Sequence, residues 1–212
     1  MSHAEKIIPN QKHGGRTGAT YKKETPTRHD AINLFNEAKA RLLSIDQWDR
    51  LCGKGSAHFQ LCDEKGNPVV KADPRVGNLI RINLPAPPNS EVSGYDWVRI
   101  EEFVNDKDLI KDEEIFGFRV RPVPDPHSNN KKAAAHFFTE DATSTFLIVR
   151  NTNEVKALER GRNEKPNTKR LHLLGKIRNA AVALGAMLGL SKPQWKSLVS
   201  GIINGKREYP QV

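Results

Sequence analysis

Two groups of side chains have residue types and spacings that could bind a ligand. The first combines His136 and Phe138 with Thr143 and Thr145, whose hydroxyls stand at alternate positions of an apolar stretch. An imidazole, an aromatic ring and two hydroxyls close together are typical of a pocket with convergent polar groups. Hydroxyls at alternate strand positions more often satisfy local hydrogen bonds, so these four residues form a candidate pocket beside that simpler alternative.

The second group is basic and follows the last apolar stretch of the sheet region. Arg160 and Arg162 flank Gly161, and two guanidinium groups held that close suit a phosphate or a carboxylate. We expect a compact turn here that binds an anion or an acidic partner, and the alternative is an ordinary charged connection between a strand and a helix. The other residues predicted for this site are Asn163, Lys165, Lys169 and Arg170.

The sequence lacks the usual signatures of catalysis and of metal binding. It contains no GxSxG, HExxH or GxxxxGK[ST] motif, and the acidic run Asp112-Glu113-Glu114 falls in a predicted solvated loop. The two cysteines, Cys52 and Cys62, flank His58 with a spacing that no common zinc site uses. We therefore predict no cofactor, no metal and no disulfide framework, and we favour a binding protein over an enzyme.

The net charge of +9 is unevenly distributed along the 212 residues. Residues 1–29 carry +4 and residues 150–212 carry +9, whereas the stretch between them carries −4. Basic ends could dock on an acidic body, either the chain's own or that of another copy, or could bind phosphates of a nucleic acid. A solvated charged surface without a partner is the simplest alternative.

The elements that must position these residues begin after residue 29. Residues 1–29 have prolines, glycines and no apolar period, which predicts a basic extended arm. Residues 30–212 are predicted as a single α+β domain. Its first element is a helix over 30–51, capped by Thr27 or Asp30 and ended by Gly53, with Phe35 and Leu42 facing the core.

Residues 56–160 are predicted to form an antiparallel sheet, because apolar residues recur there with a period of two between turn sequences. The predicted fold class is α+β: an antiparallel, strongly curved sheet or barrel of about seven strands, flanked by an N-terminal helix and a C-terminal helical hairpin. The predicted strands cover 58–62, 68–71, 79–84, 97–100, 115–121, 143–149 and 154–158.

Residues 168–205 are predicted to form the C-terminal helices. Residues 185–198 resemble a helix-turn-helix, since Gly189 stands at the turn and Ser191 can cap the second helix. That resemblance implies that Lys192, Gln194, Lys196 and Ser197 face a DNA groove. A helical hairpin folded over the sheet would give the same pattern.

The order of elements, a helix, an antiparallel sheet and a C-terminal helix, resembles the helix-grip architecture of START-like binders of lipids and small molecules. The initial strand of that architecture, which precedes its helices, is not evident in this sequence. The resemblance implies a cavity under the C-terminal helix, lined by the apolar strand 146–149.

Three functions therefore stay open from the sequence. The first is a non-enzymatic binding or structural protein, a component of a larger or self-associating assembly, whose basic arm and C-terminal region contact an acidic protein surface or another copy. The others are a helix-grip binder or enzyme for a small apolar molecule, and a nucleic-acid-binding protein. No apolar run is long enough to cross a membrane, so we expect no membrane partner and a cytoplasmic location.

Overall fold

The computed structural model describes residues 6–53, 55–83, 95–128, 138–167 and 193–205. The strands are β1 (Gly15–Glu24), β2 (His58–Cys62), β3 (Leu79–Asn83), β4 (Asp96–Asp108), β5 (Glu113–Pro122), β6 (Thr143–Asn151) and β7 (Glu154–Glu164). The helices are α1 (Arg28–Leu43), a short 3-10 turn (Ile45–Gln47), α2 (Trp48–Cys52) and α3 (193–204).

All seven strands belong to one antiparallel sheet, in the order β1-β7-β6-β5-β4-β3-β2. The predicted α+β class with an antiparallel sheet is therefore confirmed. β1 and β2 have one neighbour each, so the described sheet is open at these two edges and does not close into a barrel. Strong curvature stays a prediction.

The seven strands are not the seven that the sequence predicts. Pro68 forms only an isolated bridge with Cys62, and Lys71 has a φ of 57°, so the predicted strand 68–71 is wrong. The Val69 amide still donates to the Leu61 carbonyl at 3.0 Å, so the chain turns back beside β2 without continuing as a strand. The seventh strand is β1, which lies in the segment predicted to be an arm.

The prediction of an arm over residues 1–29 is wrong for its second half. β1 pairs with β7 in register from Gly15 to Glu24, with a bulge near Gly15, and it forms one edge of the sheet. Ahead of it, Ile7 is 4% exposed and packs on the sheet. Residues 7–25 are therefore part of the sheet domain. The exposed cations of β1, such as Lys22 and Lys23, are typical of an edge strand that must not pair with another chain.

The predicted helix 30–51 is two helices with a bend between them. Thr27 caps α1, because its hydroxyl accepts a hydrogen bond from the Asp30 amide at 3.1 Å. The helix ends at Leu43, where the Ser44 hydroxyl donates back to the Ala40 carbonyl at 2.9 Å. Gly53, with a φ of 99°, ends α2 as the sequence predicts.

The sheet has two faces with different partners. Phe146 and Ile148 of β6 pack with Phe35 of α1 in the main core, which also includes α2, β2 and α3. Leu147 and Val149, which alternate with them, pack with Ile7 on the opposite side. We call the side toward the helices the inner face and the other side the outer face.

β4 and β5 form a hairpin through the stretch predicted as an acidic loop. Only residues 109–112 are a turn, and the strands take up the rest of residues 105–114. Glu114 is 9% exposed within β5. The run Asp112-Glu113-Glu114 is therefore not a simple solvated loop, because part of it is buried.

Candidate functional site

The outer face brings together residues from the two groups that the sequence predicts as separate sites. Thr145 of β6 lies between Arg119 of β5 and Arg160 of β7, and Thr143 lies opposite Arg162. Thr143 and Thr145 are 2% and 0% exposed, and neither hydroxyl has a hydrogen-bond partner among the described residues. We call Arg119, Arg160, Arg162 and the two threonines, together with Arg121, the outer arginine cluster.

Arg160 and Arg162 lie on β7 and not in a turn, which corrects the predicted conformation of this segment. Their guanidinium groups bind backbone carbonyls of the neighbouring edge strand: Arg160 Nη1 donates to Ala19 O at 2.8 Å, and Arg162 Nη1 lies 3.4 Å from Thr17 O. Burial lowers the pKa of Arg160, partly offset by Glu159. Within the described part of the chain neither arginine forms an ion pair with a carboxylate.

Arg119 and Arg121 of the same cluster are neutralised differently. Both contact Glu101 of β4: Arg119 Nε lies 3.1 Å from one carboxylate oxygen, and Arg121 Nε contacts the other. Burial alone would raise the pKa of Glu101, but the two arginines outweigh it and lower that pKa. The unneutralised charge of the cluster therefore lies on its β7 side, at Arg160 and Arg162.

Asn163 binds the segment that precedes β1. It has a φ of 55° at a bulge in β7, and its side-chain oxygen accepts the Lys12 amide at 2.8 Å. Its own amide lies 3.2 Å from Gln11 Oε1. The polar atoms of Asn163 hold residues 10–13 against β7, and its role in anion binding stays a prediction.

The remaining predicted site residues separate. Lys165 is exposed beyond the end of β7, and its carbonyl accepts the Thr139 amide at 2.9 Å. Phe138 is 8% exposed and bridges Pro166 in the same region. His136, Lys169 and Arg170 lie outside the described residues, so the candidate pocket and the basic cluster are each described only in part.

The inner face has an aromatic end. The Trp48 ring lies 5.0 Å from that of Phe146 and 5.3 Å from that of Phe59, measured between centroids. Trp195 of α3 lies 5.4 Å from Phe146 on the other side. This packing joins α2 and α3 to the middle of the sheet and fills that part of the interior.

Beyond the aromatic end, the inner face carries a buried carboxyl, Glu159. It pairs with Phe146 on β6 and with Ala19 on β1, and it shares the face of Ala157, which belongs to the main core. Glu159 is 0% exposed, and neither of its carboxylate oxygens has a hydrogen-bond partner among the described residues.

The surroundings of Glu159 raise its pKa to about 8. Burial is the main cause, and the negative charge of Glu164 adds to it, because both disfavour ionisation. Arg160 and Arg162 oppose the shift. The Ser144 hydroxyl is near enough to lower the pKa as well, but it does not form a well-directed hydrogen bond with the carboxyl.

A second buried ion, Arg150, lies on the inner face near the start of α1 and is paired through both of its terminal nitrogens, whereas its Nε has no hydrogen-bond partner among the described residues. Its Nη2 lies 2.7 Å from Asp112 Oδ1 and its Nη1 donates to Thr152 O at 3.0 Å. Arg28 of α1 also binds Asp112 with two hydrogen bonds, at 2.7 and 2.8 Å. The hydrogen bonds from Arg28 and then Arg150 hold the pKa of Asp112 well below its usual range.

Neither buried ion was identified from the sequence. The alternation of side chains along a strand could have revealed both. Val155 and Ala157 face inward, so Glu159 on the same strand must face inward too. Phe146 and Ile148 place Arg150 on the inner face in the same way. A charged residue at an inward position of an otherwise apolar face is the unusual observation there.

The cysteines are free and buried. Burial raises the pKa of the Cys52 thiol to about 12, which opposes formation of a reactive thiolate. Among the described residues, no three His, Cys, Asp or Glu side chains are arranged to hold a metal ion.

The helix-turn-helix interpretation is corrected at one residue. Gln194 binds the body of the protein: its side-chain oxygen accepts the Ala57 amide at 3.2 Å, and its carbonyl accepts from Cys52 Sγ at 3.8 Å. It therefore does not face a groove. Lys196 is exposed, and residues 185–192 lie outside the described ranges.

The sequence matches no family model and no curated protein. Solved structures with chain-wide similarity include a hypothetical protein from Helicobacter pylori, at 13% identity and a TM-score of 0.46, with 92% of each chain covered. Protein Ms6760 from Mycobacterium smegmatis is 10% identical with a TM-score of 0.42, over 94% of this chain and 99% of that one. Truncated norcoclaurine synthase from Thalictrum flavum is 10% identical with a TM-score of 0.36, over 94% and 100%. At these identities and scores the similarities carry no functional argument.

No helix in the described part of the chain has the length and apolar character needed to cross a membrane.

Proposed function

We propose that this chain is a binding protein of the helix-grip type, which holds a small, largely apolar molecule between the inner face of the sheet and the helices. The observation that carries the proposal is Glu159, a buried carboxyl on an apolar face with no hydrogen-bond partner among the described residues. A buried polar group without a partner costs free energy, so a site that keeps one is a candidate for ligand binding.

The order of elements supports the same function. The helix-grip architecture has an initial strand before its helices, and β1 now occupies that place, followed by α1, α2, six further strands and α3. The inner face combines apolar side chains with a few polar groups, as small-molecule sites do. Architecture alone identifies no ligand, which is why the proposal depends on Glu159.

A neutral fluorescent probe tests this function without interference from surface charge. N-phenyl-1-naphthylamine gains emission in apolar sites, and Trp48 and Trp195 in the main core can transfer energy to it. We expect saturable binding with quenching of tryptophan emission. Ser144→Phe fills the inner face and should weaken binding at least about tenfold.

The matched control is Thr145→Val, which changes the next residue on the opposite face and should leave probe affinity within about twofold. Binding that does not saturate, or equal effects of the two variants, would show that the probe does not occupy the inner face and would contradict the proposal.

A second candidate function is docking of an acidic protein surface, or of another copy, on the outer arginine cluster. The observation that favours it is the arrangement of Arg160 and Arg162, which have no carboxylate partner in the described ranges, beside two buried hydroxyls without hydrogen-bond partners. Charged groups on such a surface mainly accelerate and orient association.

This candidate is separated from a purely structural role by two double variants. Arg160→Gln with Arg162→Gln removes charge and hydrogen bonds, whereas Lys at both positions keeps the charge but loses the forked geometry. If the charges bind a partner, light scattering after size exclusion at low salt should show association lost in the Gln variant and retained in the Lys variant. An oligomeric state that is the same in all three proteins, at every salt concentration, would exclude self-association through this cluster.

A further inference from the structure

We propose that the ligand of the inner face carries a cationic amine and that Glu159 is the residue that binds it; this inference rests on the proposed function and names its ligand class.

The position of Glu159 combines an apolar surface with one acidic group. On its two sides lie Phe146 and Ala19, and along its own strand lies Ala157, all of them buried apolar residues of the main core. A ligand that lies against these residues makes apolar contacts with them. Only the part of the ligand that reaches the Glu159 carboxyl makes a polar contact. The arrangement fits an apolar molecule with a single polar head.

The charges around Glu159 decide the sign of that head. Glu164 acts on it as a second negative charge from the same strand. Arg160 and Arg162 oppose it from β7, but they belong to the outer face and bind the edge strand there, on the other side of the sheet from Glu159. β6 contributes the Ser144 hydroxyl, which is uncharged. An anionic head would be repelled by Glu164 and would find no cation on the inner face beside Glu159, whereas an ammonium would pair with the carboxylate form of Glu159.

Binding of an ammonium to Glu159 changes the number of bound protons, which a purely structural role of Glu159 would not do. In the free protein the pKa of Glu159 is about 8, so the carboxyl holds its proton at pH 7. An alkylammonium that binds needs the carboxylate, so the carboxyl proton leaves to the buffer while the amine keeps its own. Binding of the amine at pH 7 should therefore release close to one proton, and binding of a neutral alcohol should release none.

The test uses three probes of equal chain length, n-octylamine, 1-octanol and octanoate, with the full chain at pH 7. Isothermal titration calorimetry in two buffers of different ionisation enthalpy measures both affinity and proton release. We expect n-octylamine to bind at least about tenfold more tightly than 1-octanol, and octanoate to bind more weakly than both. Glu159→Gln should remove the amine preference and the proton release while leaving 1-octanol within about twofold.

Glu154→Gln on the same strand is the control variant, because Glu154 is paired with Lys22 at 2.8 Å on the surface; it should keep the amine preference. If 1-octanol and n-octylamine bind equally to the unmodified chain without proton release, the inference fails and the proposed function stands. If no probe binds, both fail. Should Glu159→Gln not fold, the proton release of the unmodified chain alone decides.

Discussion

The inner face contains two buried ionic side chains on neighbouring strands, and they are held in opposite ways. Arg150 on β6 is 0% exposed, and its guanidinium contacts Asp112 and the Thr152 carbonyl. Glu159 on β7 is also 0% exposed, but its carboxyl has no hydrogen-bond partner among the described residues. The paired ion lies near the start of α1, and the unpaired ion lies four residue pairs further along the β6–β7 ladder, beside Phe146.

This difference separates a structural role from a binding role. A buried ion costs little when its partners are already in place, and Arg150 joins the β4–β5 turn, β6 and, through Asp112 and Arg28, the first turn of α1. An unpaired carboxyl joins no elements of the fold, and it lowers the stability of the folded chain at any pH where it is ionised. Glu159 is therefore explained better by a ligand than by the fold.

The largest effect is expected at the paired ion. Arg150→Met removes the cation and leaves Asp112 and Glu114 without their shared partner, so we expect a loss of about 3–5 kcal/mol in the free energy of unfolding at pH 7. Urea unfolding followed by circular dichroism measures it. A loss below about 1 kcal/mol would mean that the network is not structural and would remove the contrast with Glu159.

The opposite sign is expected at the unpaired ion. The folded-state pKa of Glu159, about 8, lies above its unfolded value of about 4.5, so the folded chain binds the extra proton and stability falls as pH rises between these values. Glu159→Gln should therefore match the unmodified chain at pH 4 or below and exceed it by at least about 1 kcal/mol at pH 9. A variant less stable at both pH values would show that the carboxylate has a stabilising partner.

A smaller effect with the opposite pH dependence is expected at Asp112. Its pKa is lowered by Arg28 and Arg150, so its contribution is present above the unfolded value near pH 4 and is lost as pH falls through the folded value. Asp112→Asn should lower the melting temperature at pH 7 and flatten its decline in acid. An unchanged acid profile would show that other carboxylates control acid unfolding.

The smallest effect is expected at a half-buried ion of the outer face. Arg160 donates to Ala19 O and to Thr20 Oγ1 of β1, and Arg160→Gln should cost about 1 kcal/mol. Amide hydrogen exchange should become faster in β1 and stay unchanged in β5. Uniform exchange in both strands would contradict the assignment of Arg160 to the attachment of the edge strand.

The sequence predicts the regular parts of this fold and misses those that depend on a neighbour. Strands β5 and β6 alternate or run apolar within themselves, so local pattern suffices to find them. Within β1 only Ala19 is buried, and the next buried residue, Thr25, follows the strand. The strand conformation of β1 therefore depends on its pairing with β7, and a local sequence pattern does not reveal that pairing. The break after Leu43 was missed for a similar reason, because the Trp48 indole N–H donates to the Leu42 carbonyl at 3.1 Å only in the folded chain.

The sequence predicts which residues belong to the candidate site but does not predict which of them meet. The sequence identifies Arg160, Arg162, Thr143 and Thr145, and their meeting on the outer face requires the register of β6 and β7. Glu159 stands beside Arg160 in the sequence, and such a pair is typical of a charged surface. Its burial follows only once the inward parity of β7 is known.

The carboxyl 13C resonance of Glu159 gives the most direct test of the central claim, that this buried group is held free of a partner for a ligand. Its signal is assigned by its absence in Glu159→Gln and followed from pH 4 to pH 10 with and without n-octylamine. We predict a midpoint near 8 in the free protein and a lower midpoint when the amine is bound. A midpoint below about 5 in the free protein would mean that a cation of the chain itself already pairs with Glu159, and would contradict the claim.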